Sequence, residues 1–383
     1  MRTVLVLAYY FPPCGTVGGL RTLAFCRHLP RSGWRPVVLA AEHPGATPYA
    51  RDGDPGGTVV RIPGKADLLD RLLWGTDARR RWMREAWPAA RELVRKEKPD
   101  AILASFTPVA DLEIAARLKE EFRLPVVLDF RDAWTTNPGR PYRLPWQRPY
   151  EARRERRLLG QADAVSAATE PIERDLRAAG ARRTATIPNG YDEADFASPD
   201  PGLPEDVWRI TYVGAFYAGM TLEPLARALA PLGHRVRLRV VGGLPEARRR
   251  AVMDAGMGDR LEIVPPVSHP EAIREIRASH ALLLLLWSGP GTAAIHSTKT
   301  FEYLRSGRPV LGLIPPGEAR KLLEERGHPV LSPEASPEEI RAILKPWVER
   351  TPEPRLADEG LKAYDRKRSA AALARLLEEA CAC

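Results

Sequence analysis

The feature that most constrains the fold is a regular alternation of short, β-branched apolar runs with longer amphipathic stretches along the whole chain. This alternation is typical of β-α-β units around parallel sheets, so it predicts an α/β protein. The runs form two series. The first series predicts strands at 4–8, 36–40, 59–62, 101–105, 126–129, 164–167 and 184–187. The second series predicts strands at 210–213, 236–241, 261–264, 281–286, 309–313 and 329–331.

Two series of strands in 383 residues predict two domains, because a chain of this length exceeds what one hydrophobic core usually fills. Segment 197–204 between the series is rich in proline and glycine, and we expect the linker there. The predicted domains are 1–196 and 205–346. Segment 355–383 contains a terminal helix with a single apolar stripe, which indicates that this helix docks on a domain.

The charge balance favours anionic partners. The chain has 58 Lys and Arg against 49 Asp and Glu, a net charge of +9, but this does not choose among nucleotides, acidic lipids and nucleic acid. No recognised nucleic-acid-binding module is present, so we expect no nucleic-acid partner. The four cysteines suggest neither a zinc site nor a disulfide framework. Because no apolar run is long enough for a membrane span and no signal peptide is evident, we expect a cytoplasmic protein.

The loop after the first predicted strand opens a helix. Its adjacent Gly18 and Gly19 let the backbone approach a ligand closely, and the helix N-terminus offers N–H groups to an anion. With Arg21, they are candidates for binding an anionic ligand such as a nucleotide. An ordinary tight turn is the alternative. The loop lacks the Gly-x-Gly-x-x-Gly pattern, so no nicotinamide cofactor is expected.

The predicted strand that ends at Asp129 leads directly into Arg131, Asp132 and Trp134. In open α/β sheets, ligands bind at this carboxyl edge. Asp132 is a candidate base or partner for sugar hydroxyls, and Arg131 is a candidate partner for phosphate or an acidic acceptor group. A purely structural network of Asp129, Arg131 and Asp132 is the alternative.

The most informative segment is a short predicted helix capped by Ser297 or Thr298. Lys299 then lies in its first turn, where the helix dipole disfavours a cation, and a bound anion would resolve this conflict. Glu302 lies on the same face, where it can accept hydrogen bonds from ribose hydroxyls while Lys299 and the helix amides hold a diphosphate. A surface ion pair between Lys299 and Glu302 is the alternative.

Three more residues are expected near this helix. Gly214 and Tyr217 follow the first strand of the second series and are candidates for lining the same diphosphate-binding site. His296 precedes the helix and is a candidate for contact with the donor sugar, with a structural histidine as the alternative. The catalytic candidates are Asp132, Arg131 and Lys299.

Two basic stretches are studded with aromatic residues. One begins at Arg79 and ends at Trp87, and the other begins at Arg140 and ends at Tyr150. Arginine beside tryptophan and tyrosine suits contact with an anionic membrane surface, so we predict peripheral contact with the inner face of the cell membrane. Solvated charged faces are the alternative.

Taken together, these motifs resemble glycosyltransferase family four. The matching segments are 11–21, 129–134, 187–192, 213–214 and 299–311, which follow one another in order. The resemblance implies a GT-B fold, in which two Rossmann-like domains face each other across a central cleft. It also implies a metal-independent, retaining transfer from a nucleotide sugar. The C-terminal domain would hold the donor, with Glu302 on its ribose, and the N-terminal domain would hold a glycan, lipid-linked or small-molecule acceptor. Gly18 and Gly19 would face the donor phosphates or sugar, and the last helix would cross back onto the first domain.

The chain departs from the family pattern at two places. Ala294 occupies a position where the family often has Glu, and Ala215, Phe216 and Tyr217 follow Gly214 where Arg and Lys are common. Neutralisation of the phosphates is then expected from Lys299, from helix amides or from another base. No cofactor is expected beyond the nucleotide-sugar substrate, and polysaccharide biosynthesis is the expected context.

Two other functions remain open at this point. A sugar-nucleotide epimerase shares the architecture and would convert a donor without an acceptor. A sugar- or lipid-binding relative without turnover would bind the donor and leave it unchanged.

Overall fold

The computed structural model describes residues 1–14, 17–42, 57–64, 80–137, 140, 142, 144–217, 219–289, 291–294, 296–354 and 359–382. The chain forms two compact units. The first consists of Met1–Gly190 together with Tyr364–Cys383, and the second consists of Tyr191–Ala363. The boundary therefore lies ahead of the Pro- and Gly-rich segment 197–204, which belongs to the second unit.

The first unit contains a parallel sheet of seven strands. They are β1 (Arg2–Ala8), β2 (Trp34–Glu42), β3 (Thr58–Pro63), β4 (Ala101–Phe106), β5 (Val126–Phe130), β6 (Ala164–Ala167) and β7 (Thr184–Thr186). Their order in the sheet is β3-β2-β1-β4-β5-β6-β7. The described helices between them are α1 (Val17–His28), α2 (Arg80–Glu97), α3 (Val109–Phe122), α4 (Gln147–Gln161) and α5 (Glu170–Ala178).

The second unit contains a parallel sheet of six strands in the order β10-β9-β8-β11-β12-β13. They are β8 (Trp208–Val213), β9 (Val236–Val241), β10 (Leu261–Val264), β11 (Ala281–Leu285), β12 (Val310–Leu313) and β13 (Val330–Leu331). The described helices are α6 (Glu223–Leu229), α7 (Glu246–Val252), α8 (His269–Arg277), α9 (Thr298–Ser306), α10 (Glu318–Glu325), α11 (Pro337–Glu349) and α12 (Glu359–Lys362).

The terminal helix α13 (Arg366–Cys381) belongs to the first unit. Its apolar stripe is buried in the same core as β1 and α1: Leu373, Leu376, Leu377 and Ala380. Burial of leucine side chains contributes about 1.5–3 kcal/mol each, so this stripe holds the end of the chain on the first sheet.

In each sheet, the strands that follow the first strand in sequence are added first on one side of it and then on the other, so the strand order reverses at one point. In the first sheet this point lies between β1 and β4, and in the second it lies between β8 and β11. Ligands of open α/β sheets bind outside the carboxyl ends of the strands at such a point. All thirteen strands predicted from the sequence are present, and two Rossmann-like units confirm the predicted fold class.

The segment that follows Gly190 is fastened to the second unit. Residues Glu193–Phe196 form a single 3-10 turn. Glu193 accepts from the Arg305 guanidinium of α9, and that guanidinium also lies 4.9 Å from the ring centroid of Phe196. These contacts explain why the unit boundary falls at Gly190 instead of at 197–204.

Among the helices that the structure describes, none has the length and apolar character needed to cross a membrane.

Candidate functional site

A glycine ends the first strand of the second unit. Gly214 follows β8 with φ of 129°, a left-handed conformation that favours glycine. A Cβ at this position would lie 2.8 Å from Lys299 Nζ. The strand end and the first turn of α9 are therefore in contact, and the missing side chain leaves room for the ammonium group.

Lys299 lies half-buried against Tyr212. Its Nζ donates to Tyr212 Oη at 3.1 Å and lies 4.4 Å from the centre of the same ring. No carboxylate in the described residues lies within ion-pair distance of this ammonium. Burial lowers the pKa of Lys299 to about 8, and the nearby negative charge of Glu302 only partly opposes the shift. The surface ion pair considered from the sequence is not formed.

The start of α9 carries this cation where the helix dipole is positive. Ser297 occupies the N-cap position, but its side chain forms no capping hydrogen bond. Thr298 is 9% exposed and begins the helix, which ends at Gly307 in the left-handed conformation. An ammonium and helix N–H groups gathered at one place form a site suited to an anion.

Glu302 lies one turn along α9 and is only 4% exposed. Its Oε1 lies 2.9 Å from His269 Nε2, on the first residue of α8. The carboxylate is therefore held within the second unit and is not a solvated surface group. Sequence reasoning missed His269, although it follows Ser268 directly in a Ser-x-x-Glu capping pattern, which marks the start of a helix.

A second basic residue, Arg248 on α7, lies near Tyr212 and contacts it through Phe216. Phe216 packs 4.6 Å from Tyr212, and the Arg248 guanidinium lies 5.3 Å from the Phe216 ring. Arg248 also donates to the Tyr217 carbonyl at 2.8 Å. The Tyr217 side chain is 53% exposed, with its ring 5.8 Å from that of Trp287. Arg248 was also missed, because nothing in the sequence of α7 connects it to the loop after β8.

His296 packs at the start of α9. Its ring lies 5.3 Å from the Phe301 ring in an edge-to-face arrangement. Burial lowers the pKa of His296, which keeps the imidazole neutral at pH 7.

In the first unit, the structure brings together the glycine loop and the end of β5. A Cβ on Gly18 would lie 1.4 Å from Arg131 Nη1, so the guanidinium lies against the first turn of α1 in the space that only glycine leaves. Arg131 Nε lies 3.1 Å from Asp132 Oδ2. Gly19 packs closely against the preceding loop, because a Cβ added to it would lie 3.2 Å from Pro12. Gly15 and Thr16 lie outside the described residues.

Arg21 has a different environment from the one expected for a donor-binding residue. It is 7% exposed, and its Nη2 and Nε donate to Asp129 at 2.8 and 3.0 Å. Asp129 is 1% exposed and also accepts from Ser166 Oγ at 2.7 Å, while Arg21 Nη1 donates to Asn189 at 3.2 Å. This network accounts for Arg21 and Asp129 as structural residues, and it separates Asp129 from the pair formed by Arg131 and Asp132.

The two basic aromatic stretches differ in exposure. In the first, Arg79 lies outside the described residues and Trp82 is 1% exposed, with its Nε1 donating to Asp111. A tryptophan in the core cannot touch a membrane. In the second, three large apolar side chains are exposed: Leu144, Trp146 and Tyr150, at 41%, 44% and 38%. Pro141 and Arg143 of this stretch lie outside the described residues.

Within the described part of the chain, no group of three or more His, Cys, Asp and Glu side chains is placed so that it could hold a metal ion.

The chain is similar to known proteins. Residues 18–190 match the family model of the glycosyl transferase 4-like domain. No curated protein sequence matches the chain significantly.

Solved structures match over nearly the whole chain. Sucrose-phosphate synthase from Thermosynechococcus elongatus is 15% identical, with a TM-score of 0.73, over 99% of this chain and 98% of that one. Anabaena HepE in complex with UDP and glucose is 16% identical, with a TM-score of 0.63, over 98% and 95%. A Listeria monocytogenes protein described as a UDP-N-acetylglucosamine 2-epimerase is 12% identical, with a TM-score of 0.55, over 98% and 91%.

At these identities the likeness shows the fold, which is GT-B. The family-model match covers residues 18–190, so this part of the chain is similar to the glycosyl transferase 4-like domain.

Proposed function

We propose that the chain is a retaining glycosyltransferase that moves a sugar from a nucleoside diphosphate to an acceptor hydroxyl. The observation that carries the proposal is Lys299. It is a half-buried ammonium in the first turn of α9, its pKa is lowered to about 8, and no described carboxylate pairs with it. A buried cation without a counter-ion is costly, and a diphosphate would supply that counter-ion.

The donor would lie along α9. Its diphosphate accepts hydrogen bonds from Lys299 and from the helix amides, beside the bare backbone of Gly214. Its ribose hydroxyls donate to Glu302, one turn further on. Ser297 and Thr298 would line the donor site at the start of the helix. His296 would contact the donor sugar, and Tyr217 would line the same site.

The first unit would hold the acceptor. Arg131 lies against Gly18 at the end of β5 and pairs with Asp132, whose half-exposed side chain can accept a hydrogen bond from an acceptor hydroxyl. Gly19 keeps the loop close to the sheet.

In the transfer, the bond from the anomeric carbon to the phosphate oxygen breaks while the acceptor oxygen bonds to the same face of that carbon. The acceptor's proton passes to the departing phosphate oxygen. Lys299 and the helix amides stabilise the negative charge that develops on the leaving diphosphate. Neither a protein nucleophile nor a metal ion takes part in this scheme.

The proposal is tested by measuring thermal unfolding with a panel of nucleotide sugars, because a ligand that binds only the folded state raises the melting temperature. UDP-glucose is the first candidate, since HepE carries UDP and glucose. The donor that stabilises the protein is then incubated with glycan and lipid-linked acceptors. Transfer with retained anomeric configuration supports the proposal, and an absence of stabilisation by every donor contradicts it.

An epimerase is the second candidate, because the Listeria protein shares the fold. The same incubation separates the two. Conversion of UDP-N-acetylglucosamine to its 2-epimer without an acceptor favours the epimerase, whereas sugar transfer that requires an acceptor favours the transferase. Binding without either reaction would indicate a relative that has lost turnover.

We also propose that the exposed segment formed by Leu144, Trp146, Arg148 and Tyr150 contacts an anionic membrane surface, which would suit a lipid-linked acceptor. The test is sedimentation with phosphatidylglycerol vesicles and with neutral phosphatidylcholine vesicles. Binding to the anionic vesicles alone, lost in Trp146→Ser, supports this surface. Equal recovery of wild type and variant in the supernatant contradicts it.

A further inference from the structure

A histidine lies beside the ribose-binding candidate. His269 Nε2 is 2.9 Å from Glu302 Oε1, and its other ring nitrogen, Nδ1, is 3.7 Å from Asp195 Oδ2. A carboxylate can only accept a hydrogen bond, so the Nε2–H of His269 donates to Glu302. The histidine side chain is 14% exposed, which places this contact inside the second unit.

We propose that His269 is a positioning residue, which holds the Glu302 carboxylate in the orientation that accepts hydrogen bonds from the ribose hydroxyls of a nucleoside diphosphate. This inference rests on the proposed donor site. A carboxylate offers about four lone-pair sites, so a bond from His269 is compatible with bonds from both hydroxyls. A glutamate side chain has several rotatable bonds, and fixing it before the ligand arrives removes an entropic cost from binding.

The local sequence fixes the position of His269. Ser268 caps α8, and its side chain and that of Glu271 form a reciprocal capping box. Pro270 follows at a position where the fixed φ of proline favours the start of a helix. His269 is therefore the first residue of a well-defined helix, and its ring can be aimed reproducibly at α9.

Asp195 completes the arrangement from a third element. It lies in the 3-10 turn Glu193–Phe196, which Asp192 caps by accepting from Ala194 N at 3.2 Å. The same turn is bound to α9 through Glu193 and Arg305. Since Arg305 and Glu302 share α9, the turn, α8 and α9 form one cluster that keeps Asp195, His269 and Glu302 in register.

The test compares ribose and dideoxyribose ligands. UDP, GDP and ADP, each with its 2′,3′-dideoxy form, are titrated calorimetrically against the wild type and His269→Ala, His269→Gln, Asp195→Asn and Glu302→Ala. Loss of the orienting bond should weaken binding of the preferred ribonucleotide about tenfold, equivalent to about 1.4 kcal/mol. Binding of the dideoxy form should change less than about twofold, because it has no ribose hydroxyl whose hydrogen bond depends on the orientation of Glu302. His269→Gln keeps an N–H donor and should recover most of the affinity, and Asp195→Asn should cost about threefold.

A matched control is His280→Ala. His280 lies in the same unit but accepts from Arg209 N and packs on Trp208, so its removal should leave both affinities unchanged. If turnover is measured, His269→Ala should raise the donor KM and leave kcat within about twofold.

The outcomes separate this inference from the proposed function. Equal losses for the ribose and dideoxy ligands in His269→Ala, or no loss for either, would overturn the positioning role while leaving the donor site intact. If Glu302→Ala also fails to distinguish the two ligands, the ribose role of Glu302 falls, and the inference falls with it. If the wild type binds none of the nucleotides, both are overturned.

Discussion

Near the carboxyl edge of the first sheet, the Arg21 guanidinium lies in a closed ion pair with Asp129, whereas at the edge of the second sheet Lys299 faces no described carboxylate. Arg21 also donates to Asn189, and Asp129 also accepts from Ser166. Among the residues that the structure describes, Lys299 donates to the neutral hydroxyl of Tyr212, and burial lowers the pKa of Lys299 to about 8.

Under the proposed function, the difference separates a structural cation, Arg21, from a ligand-binding one, Lys299. In the first unit, the cost of burying charge is offset within the protein, so the pair needs no ligand. In the second unit, that cost remains until an anion arrives, and an anion then gains an interaction that the free protein lacks. Basic residues near two equivalent sheet edges are thus expected to have different roles. Their ion-pair partners, and not their positions in the fold, distinguish the two roles.

The largest expected effect follows from breaking the closed pair. Arg21→Met leaves the Asp129 carboxylate buried without its cation, so the free energy of unfolding in urea should fall by about 3–5 kcal/mol. Arg91→Met is the matched control. It breaks an exposed pair with Glu121 and should cost less than about 1 kcal/mol. A stable Arg21→Met protein that has lost nucleotide affinity would instead make Arg21 a donor-binding residue.

Removing Lys299, which has no ion-pair partner in the described part of the chain, should have the opposite pattern. Lys299→Met should weaken binding of the preferred nucleoside diphosphate about 10- to 150-fold, because a charge-assisted hydrogen bond contributes about 1.5–3 kcal/mol when its site is occupied. The free variant should be at least as stable as the wild type at pH 7, since the depressed pKa shows that the charged form is disfavoured by folding. Calorimetry and thermal unfolding measure the two effects.

The control for this substitution is Lys321→Met. Lys321 is an exposed lysine of the same unit, 3.9 Å from Glu325. It should change neither affinity nor stability appreciably. A Lys299→Met variant with lowered stability and unchanged affinity would mean that Lys299 is structural and that the two sheet edges do not differ.

Much of this comparison was predictable from the sequence, but the partners were not. Hydrophobic alternation located the strands, and a lysine in the first turn of a short helix indicated the proposed anion site, because both signals are local. The pairing of Arg21 with Asp129 joins residues 108 positions apart. It depends on which strands are neighbours and on which side chains share a face, and the pattern of one chain does not specify either.

Burial within a polar stretch was equally hidden. Trp82 stands among arginines, yet its indole reaches the core, where Asp111 accepts its N–H and where Tyr9 packs edge-on at 5.1 Å. The arginines around Trp82 reflect the outer face of α2, whereas Trp82 itself lies on the face of the helix that packs on the core.

The pH dependence of binding sharpens the second half of the comparison. Lys299 is protonated below its pKa of about 8, and a bound diphosphate favours the protonated form. The dissociation constant should therefore stay level up to about pH 7.5 and then rise, by up to about tenfold per pH unit, towards pH 9.5. The terminal phosphate is already ionised in this range, since its pKa is about 6.

Calorimetric titration across that range gives the profile, and Lys299→Met is its control. The variant should show a level profile at weaker affinity. A rise of the same size in the variant would assign the titration to another group and would remove the link between the depressed pKa and nucleotide binding.

The smallest expected effect concerns Arg131, the arginine of the first unit that lies against Gly18. Gly18→Ala places a methyl group where Arg131 Nη1 now lies, 1.4 Å from the Cβ position. The obstacle is the end of a flexible side chain, so Arg131 moves and the backbone does not. The free energy of unfolding should change by less than about 1 kcal/mol, partly because alanine favours a helix more than glycine does. Transfer should slow about three- to tenfold if Arg131 acts in that position.

A double-mutant cycle decides whether Arg131 carries the effect. In an Arg131→Ala background, the added methyl group meets nothing, so Gly18→Ala should cost no further activity. If the two losses instead multiply, the methyl group must act directly on a ligand at the start of α1. In that case Gly18 itself belongs to the binding site, and Arg131, like Arg21, serves the structure of the first unit.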